Sequence, residues 1–531
     1  MKKQLINQTA TAMAAMLALA SPAMAQTILR LDEVAVGELD PAKALDVGDS
    51  VLMFNAYDTL VIANQGKPGV GPHLAKSWTV DGTTFTFTLR DDVTFHSGNK
   101  MTASDVVFSF NRMVDMGQGL SHLFRGHVKS VEATDDHTVV FQLGQPYAPF
   151  LTALTRLPIL DSKTVKGNTG PGNFGDNGDY GQAFLSKNDA GSGAYRVTSH
   201  NPQEQTEFGK FTGYFLNVPD TAPDQVRMRY SLEGATVRTL MTRGEHDISS
   251  QWLVPDIMRA MARDRNMQLL SEAGTGAFTI KLNTQLPPLD DVHCRRALAH
   301  AVDYKSLLSL VKITDEVAQG RPANGPLPVG TLGFNPDLPY PVQDMKKAQD
   351  ELKQCRHDPK ANKITISWIA EVPLEERFAL LMQANFQQLG FTTEILRMPW
   401  ALYNERVTKV ETTPHIGQLF VRPAVPDPDA MLYNTYHSSV RGTYHAAQWL
   451  KDAEVDRLLD EGRKTVDQAK REQIYRDVSA RLVELQPNIF AFDTQTVYIA
   501  RKNVSAPPLQ DPSQAYSQAT VNLMFRNMAV K

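Results

Sequence analysis

Thr84-Phe85-Thr86-Phe87-Thr88-Leu89 and, shortly after it, Thr102-Ala103-Ser104-Asp105-Val106-Val107-Phe108-Ser109 carry the two periodicities from which the fold class is read. In the first segment Phe85, Phe87 and Leu89 alternate with Thr84, Thr86 and Thr88, which predicts a half-buried strand. In the second, Thr102 stands as an N-cap with Asp105 in the capping-box position, and Val106, Val107, Phe110, Met113 and Val114 then recur at helical spacing. Strand alternation returns at Val139, Phe141 and Leu143 and stops at Gln145-Pro146. The region predicts a compact α+β unit.

Further along, strands and helices continue to alternate. Phe278 to Leu282 predicts a short strand, Asp291 to Val302 a helix, Gln343 to Cys355 a helix, Ile364, Ile366 and Trp368 a strand, and Phe378 to Leu389 a helix. Ile474, Val478 and Leu482 lie on one face of a helix that begins near Gln468 and is stopped by Gln486-Pro487, after which Ile489 to Ala500 returns to strand. Between Lys166 and Tyr180 the chain is dominated by Gly, Asn and Asp and predicts a long surface loop near a domain crossing. At 531 residues the chain exceeds the roughly 250 to 300 residues that one core supports, so two or more domains are expected.

Lys2 and Lys3 precede an Ala-, Met- and Leu-rich run too short to cross a bilayer, followed by Ala23-Met24-Ala25. That order is the grammar of a secretory signal peptide over residues 1–25, with cleavage expected after Ala25. A cleavage-site Cys and a twin Arg are both absent, so neither a lipid anchor nor the twin-arginine route is expected. The mature protein is expected in the periplasm as a monomer. The net charge of -4 is nearly balanced for this length, and no cluster of Lys and Arg tracks a phosphate backbone, so nucleic acid is not an expected partner. Cys294 and Cys355 are the only cysteines. An oxidising compartment invites one bond between them, stabilising by roughly 4 kcal/mol in the chain-entropy model; two unpaired core thiols are the alternative.

Catalytic and metal signatures fail one after another. Ser192 lies in Gly191-Ser192-Gly193, but Ala190 and Ala194 occupy the positions where a nucleophile elbow needs glycine. Gly274-Thr275-Gly276 lacks the third glycine of a dinucleotide fingerprint, since Thr279 stands there. Asp176-Asn177-Gly178-Asp179 begins like a calcium loop, yet Lys187 holds the position that needs Glu. His293 and His300 are too far apart along their helix to chelate. No metal site, catalytic residue or cofactor is assigned. Asp427 and Asp429 in a Pro-rich turn are the one carboxylate pair that a hydrolase would use, and a turn-forming role explains the same residues.

A series of blocks, in order along almost the whole mature chain, resembles the extracellular solute-binding proteins of the peptide, opine and nickel ABC importers, the class that includes oligopeptide- and dipeptide-binding proteins. They are Gly71-Pro72-His73-Leu74-Ala75-Lys76-Ser77-Trp78, Phe85 to Arg90, Val93-Thr94-Phe95-His96-Ser97-Gly98 and Thr102 to Ser109. Leu39-Asp40-Pro41, Tyr57 to Val61, Gly191 to Tyr195, Gly244 to Ile248, Leu282-Asn283-Thr284, Arg295 to Leu298 and Ala301-Val302-Asp303 fit the same family; Ala194 departs from its usual proline. The resemblance implies an α/β fold of two lobes around a hinge, of the Venus-flytrap type, with a small inserted α+β domain. Lobe I is expected at 27–70, 190–285 and 492–531, the insert at 71–189 and lobe II at 286–491. A ligand would be enclosed between the lobes and delivered to ABC permease subunits in the inner membrane, with no chemical step.

Phe420-Val421-Arg422-Pro423-Ala424-Val425-Pro426-Asp427-Pro428-Asp429 resembles the family's cleft loop. Where peptide binders of the family present an acidic residue to the ligand's ammonium group, this chain has Ala424, which counts against peptides with a free N-terminus. Arg422 instead offers a fork for carboxylate or phosphate. The expected ligand is a small polar solute: an opine, a sugar conjugate, a modified peptide or an oligopeptide. Expected ligand-binding residues are Arg422, Trp252, Trp368, Trp400, Tyr57, Phe420, Glu371 and Asp427. Two other readings stand beside the receptor: a periplasmic hydrolase using Asp427 and Asp429, and a chaperone that holds peptides.

Overall fold

The threonine-phenylalanine alternation at Thr84–Leu89 builds a strand in the middle of a four-stranded antiparallel sheet, ordered Ala75–Asp81, Thr84–Leu89, Thr138–Leu143, Val128–Asp135. This computed structural model describes residues 26–44, 47–516 and 523–531; the signal peptide expected at 1–25 lies outside the described residues. Phe87 and Leu89 are buried beneath helix Ala103–Met116, whose Val106, Phe110 and Met113 pack down on the sheet. The helix starts where its cap lies: the Asp105 carboxylate accepts the Thr102 backbone N–H at 2.7 Å. Phe110 meets Phe141 edge-on at 5.5 Å, and Phe85 meets Phe150 at 4.7 Å. This small core runs from Leu60 to Ile159 and also takes in Val425. The insert expected at 71–189 is therefore shifted, because Leu160, Val165, Tyr180 and Leu185 pack into the core of the first lobe instead.

That first lobe is organised by a sheet ordered Ile28–Glu33, Gln225–Tyr230, Gln205–Lys210, Tyr195–Asn201. Leu29 and Leu31 face inward, and Leu31 bridges Ile248, which bridges Ala500. The second lobe has a mixed six-stranded sheet ordered Gly320–Pro322, Asn488–Arg501, Met267–Leu282, Ile416–Val421, Lys363–Ile369, Thr392–Met398. Helix Leu374–Gln388 lays Phe378 on Phe278 at 4.8 Å, and Phe278 stacks on Phe492 at 4.9 Å. Cys294, on helix Val292–Ala301, is bonded to Cys355, which follows helix Met345–Leu352, with Cα atoms 5.0 Å apart.

Two long strands join the lobes. Met267–Leu282 and Asn488–Arg501 pair antiparallel from Met267 opposite Arg501 to Lys281 opposite Asn488. Leu270, Tyr498 and Ala500 belong to the first core, and Phe278, Ile280 and Phe492 to the second. Between them the register jumps, from Ala273 opposite Gln495 to Ala277 opposite Asp493. Residues 274–276 thus face Thr494 alone, a bulge that breaks the ladder where the chain passes from one core to the other. The sequence pattern predicts only Phe278–Leu282 of the first strand; pairing extends it to Met267.

Candidate functional site

Strand Ile416–Val421 places Val421 opposite Ala277, so Arg422 leaves the sheet beside the bulge. Gly276 makes room for it: a Cβ there would lie 2.6 Å from the Val421 carbonyl oxygen and 2.9 Å from Arg422 Cγ. From this position the Arg422 guanidinium reaches the first lobe. Its Nη2 donates to Gln251 Oε1 at 2.6 Å, and its Cζ lies 5.1 Å from the centre of the Trp252 ring. Its Nη1 is buried with no hydrogen-bond partner among the described residues. Burial lowers the guanidinium's proton affinity from its ordinary value, but arginine stays charged.

Gln251 in turn donates to Glu33 Oε2 at 3.1 Å and to the Tyr498 hydroxyl at 3.2 Å. Glu33 ends the first strand of the chain. The alternation Leu29, Leu31, Glu33 turns it toward the apolar side, where it is fully buried and also accepts the Val34 N–H at 3.0 Å. Burial pushes its carboxyl up to about 7. Trp252 is 37% exposed and meets Phe420 edge-on at 6.3 Å, leaving an aromatic surface beside the cation. Gln319 fixes the segment by donating to the carbonyls of Gln251, at 3.0 Å, and Leu253, at 3.2 Å.

Of the expected site residues, Arg422, Trp252 and Phe420 come together here. Trp400 and Glu371 meet each other elsewhere on the second lobe: the Trp400 N–H donates to Glu371 Oε2 at 3.0 Å, and the indole packs on Tyr403 and Tyr444. Trp368 is buried at the end of a central strand with Arg397 over its ring at 5.6 Å. Tyr57 is buried in the first core, where its hydroxyl accepts the Ala190 N–H at 3.3 Å. Asp427 caps helix Pro428–Tyr436 and receives both terminal nitrogens of Arg471 at 2.7 and 2.8 Å. Asp429 is gripped by Arg463 at 2.9 and 3.0 Å. Each carboxylate of the pair that a hydrolase would use is thus paired with its own arginine. Ala424 packs on the insert's core.

Sequence reasoning passed over Glu33, Gln251 and Tyr498. Glu33 had a usable signal, a charge in phase with Leu29 and Leu31 on the apolar face. Gln251 and Tyr498 had none, because only the fold brings them to Arg422.

Two lobes joined by a pair of bulged strands, with a cationic and aromatic junction between them, define a hinged two-lobed binding protein. Residues 69–443 match the family model for bacterial extracellular solute-binding proteins, family 5 (Middle), and the chain belongs to that family. The chain is 27% identical over 473 residues to the probable D,D-dipeptide-binding periplasmic protein DdpA of Escherichia coli K12, covering 88% of this chain and 86% of that one. Its fold superposes with a TM-score of 0.77 on DppA of Helicobacter pylori, an ABC transporter-associated periplasmic binding protein solved with the peptide STSA, at 24% identity over 95% of this chain and 98% of that one. It also superposes with a TM-score of 0.74 on AgaA of A. tumefacien R10, solved with agropinic acid, at 21% identity over 95% and 98%.

Proposed function

We propose that this protein is the periplasmic substrate-binding component of an ABC importer and that it captures a small solute bearing a carboxylate. The observation that carries the ligand class is the Arg422 guanidinium, buried between the lobes with Nη1 lacking a hydrogen-bond partner among the described residues. A carboxylate satisfies such a fork with strong, charge-assisted hydrogen bonds. Trp252 offers its face to an apolar or planar part of the solute, and Glu33 and Gln251 offer polar partners from the first lobe. Opines, sugar conjugates, modified peptides and oligopeptides remain the candidate solutes. The relatives support the carboxylate: a peptide ends in one, and agropinic acid is by its name an acid.

Arg422 and Phe420 come from the second lobe, and Glu33, Gln251 and Trp252 from the first. A solute that touches both sets does so only when the lobes are together, so it shifts the population toward the closed form. The closed form is what a membrane permease would receive. The chain acts as a monomer, is exported by the 1–25 signal and performs no reaction on its cargo. Native mass spectrometry of protein purified from its own periplasm, followed by calorimetry of the recovered solute on wild type and Arg422→Met, tests this reading. It predicts a carboxylate-bearing cargo and a large loss of affinity in the variant. A cargo with no acidic group, or equal affinity in both proteins, overturns it.

A further inference from the structure

The first strand of the first lobe carries a second group of cations on the side away from its core. Arg30 stands directly opposite Arg227 of the neighbouring strand, and Arg229 stands opposite Asp32. Together with Gly244, Glu245 and His246 these arginines line an open recess of about 310 Å³. Like charges placed directly across a strand pair repel, and this pair is only partly screened by acids. Arg30 Nη1 lies 3.3 Å from Asp247 Oδ2, and Arg227 Nε lies 2.9 Å from Glu207 Oε1. Arg501, against Gly244, reaches the other oxygen of Asp247 at 3.4 Å. Arg229 is half-buried and has no carboxylate partner among the described residues.

His246 adds an independent sign of a built site. It is 1% exposed; its Nε2 lies 3.1 Å from Asp32 Oδ1, and its Nδ1 is buried without a hydrogen-bond partner among the described residues. A buried polar atom in this state normally has a partner, and this ring lines the recess. Asp32, the partner of the imidazole Nε2, also accepts the Ser250 N–H at 3.0 Å.

We propose that this recess is an oxyanion site that takes a phosphate-type group, separate from the interlobe cleft. Arginine forks suit the tetrahedral oxygens of phosphate. Glu245 on the rim opposes large acidic surfaces and favours a compact group, either free phosphate or the headgroup of an anionic lipid.

The test uses the mature chain and two probes. One is pyrophosphate with inorganic phosphate, titrated by calorimetry. The other is vesicles of phosphatidylglycerol in phosphatidylcholine, followed by flotation. Wild type, Arg229→Gln, Arg229→Lys and Arg422→Met are compared, with thermal unfolding verifying that each is folded. The expected result is saturable binding that weakens at least tenfold in Arg229→Gln, is partly restored in Arg229→Lys and is unchanged in Arg422→Met. Binding of the free anions identifies a solute site, and binding of vesicles alone with the same variant pattern identifies a headgroup site. Absence of binding to both probes, binding that survives Arg229→Gln, or binding abolished by Arg422→Met overturns the proposal. The last outcome would assign the anion to the cleft, so a failure here is distinguishable from a failure of the cargo reading.

Discussion

Replacing Gly276 by alanine puts a methyl group into the junction between the lobes. The added Cβ would lie 2.6 Å from the Val421 carbonyl oxygen and 2.9 Å from both Arg422 Cγ and Thr494 Oγ1. The nearest of these is backbone in an interior strand of a six-stranded sheet, so it cannot swing aside as a side chain would. Overpacking of this kind costs about 1–3 kcal/mol, and the backbone contact argues for the upper half, about 2–3 kcal/mol. Urea unfolding followed by tryptophan fluorescence reads the loss as a lower midpoint at unchanged slope. Gly37→Ala is the matched control, because a Cβ there finds its nearest neighbour at 3.7 Å and should shift stability by less than about 0.5 kcal/mol. The same substitution displaces Arg422 and should weaken cargo binding. Stability within about 0.5 kcal/mol of wild type together with unchanged affinity would refute the reasoning that Gly276 seats Arg422.

Three further outcomes follow from the same geometry. Arg422→Met should weaken binding of a carboxylate cargo by about 2–5 kcal/mol in calorimetry while leaving unliganded stability nearly unchanged, since it removes a buried cation whose Nη1 has no partner among the described residues. Glu33, raised from 4.5 to about 7 by burial, holds its proton more tightly in the native than in the unfolded chain. Its contribution is therefore fully present below pH 4.5 and is lost as pH rises through 7. Relative to Glu33→Gln, wild type should lose about 3 kcal/mol across that window in denaturation measured as a function of pH. Asp427→Asn leaves Arg471 buried without its carboxylate and should destabilise by about 3–5 kcal/mol by denaturant titration, the signature of a structural ion pair.

Local pattern made the small domain legible. The alternation of Phe85, Phe87 and Leu89 and the Thr102–Asp105 cap are set by residues within one turn or one strand of each other, and the structure uses them as read. The long strand Met267–Leu282 was legible only in its second part. Gly274-Thr275-Gly276 has the composition of a loop, and it becomes a strand interior only because Asn488–Arg501 pairs with both of its flanks. The site divides in the same way. Trp252, Phe420 and Arg422 stand out by residue type near strand ends, whereas Gln251 and Tyr498 matter only through long-range convergence. Tyr57 and Asp427 illustrate the opposite case: residue types that suit a ligand are taken up by a core hydroxyl contact and by a helix cap with its arginine.

On the proposed function, a solute drawn between the lobes holds them closed through Arg422. Small-angle scattering of the mature chain, alone and with the cargo recovered from the periplasm, measures that closure directly. The radius of gyration should shrink with cargo in wild type and stay unchanged in Arg422→Met at the same cargo concentration. A cargo that binds without contracting the wild-type protein, or contracts both proteins equally, would contradict the proposed function.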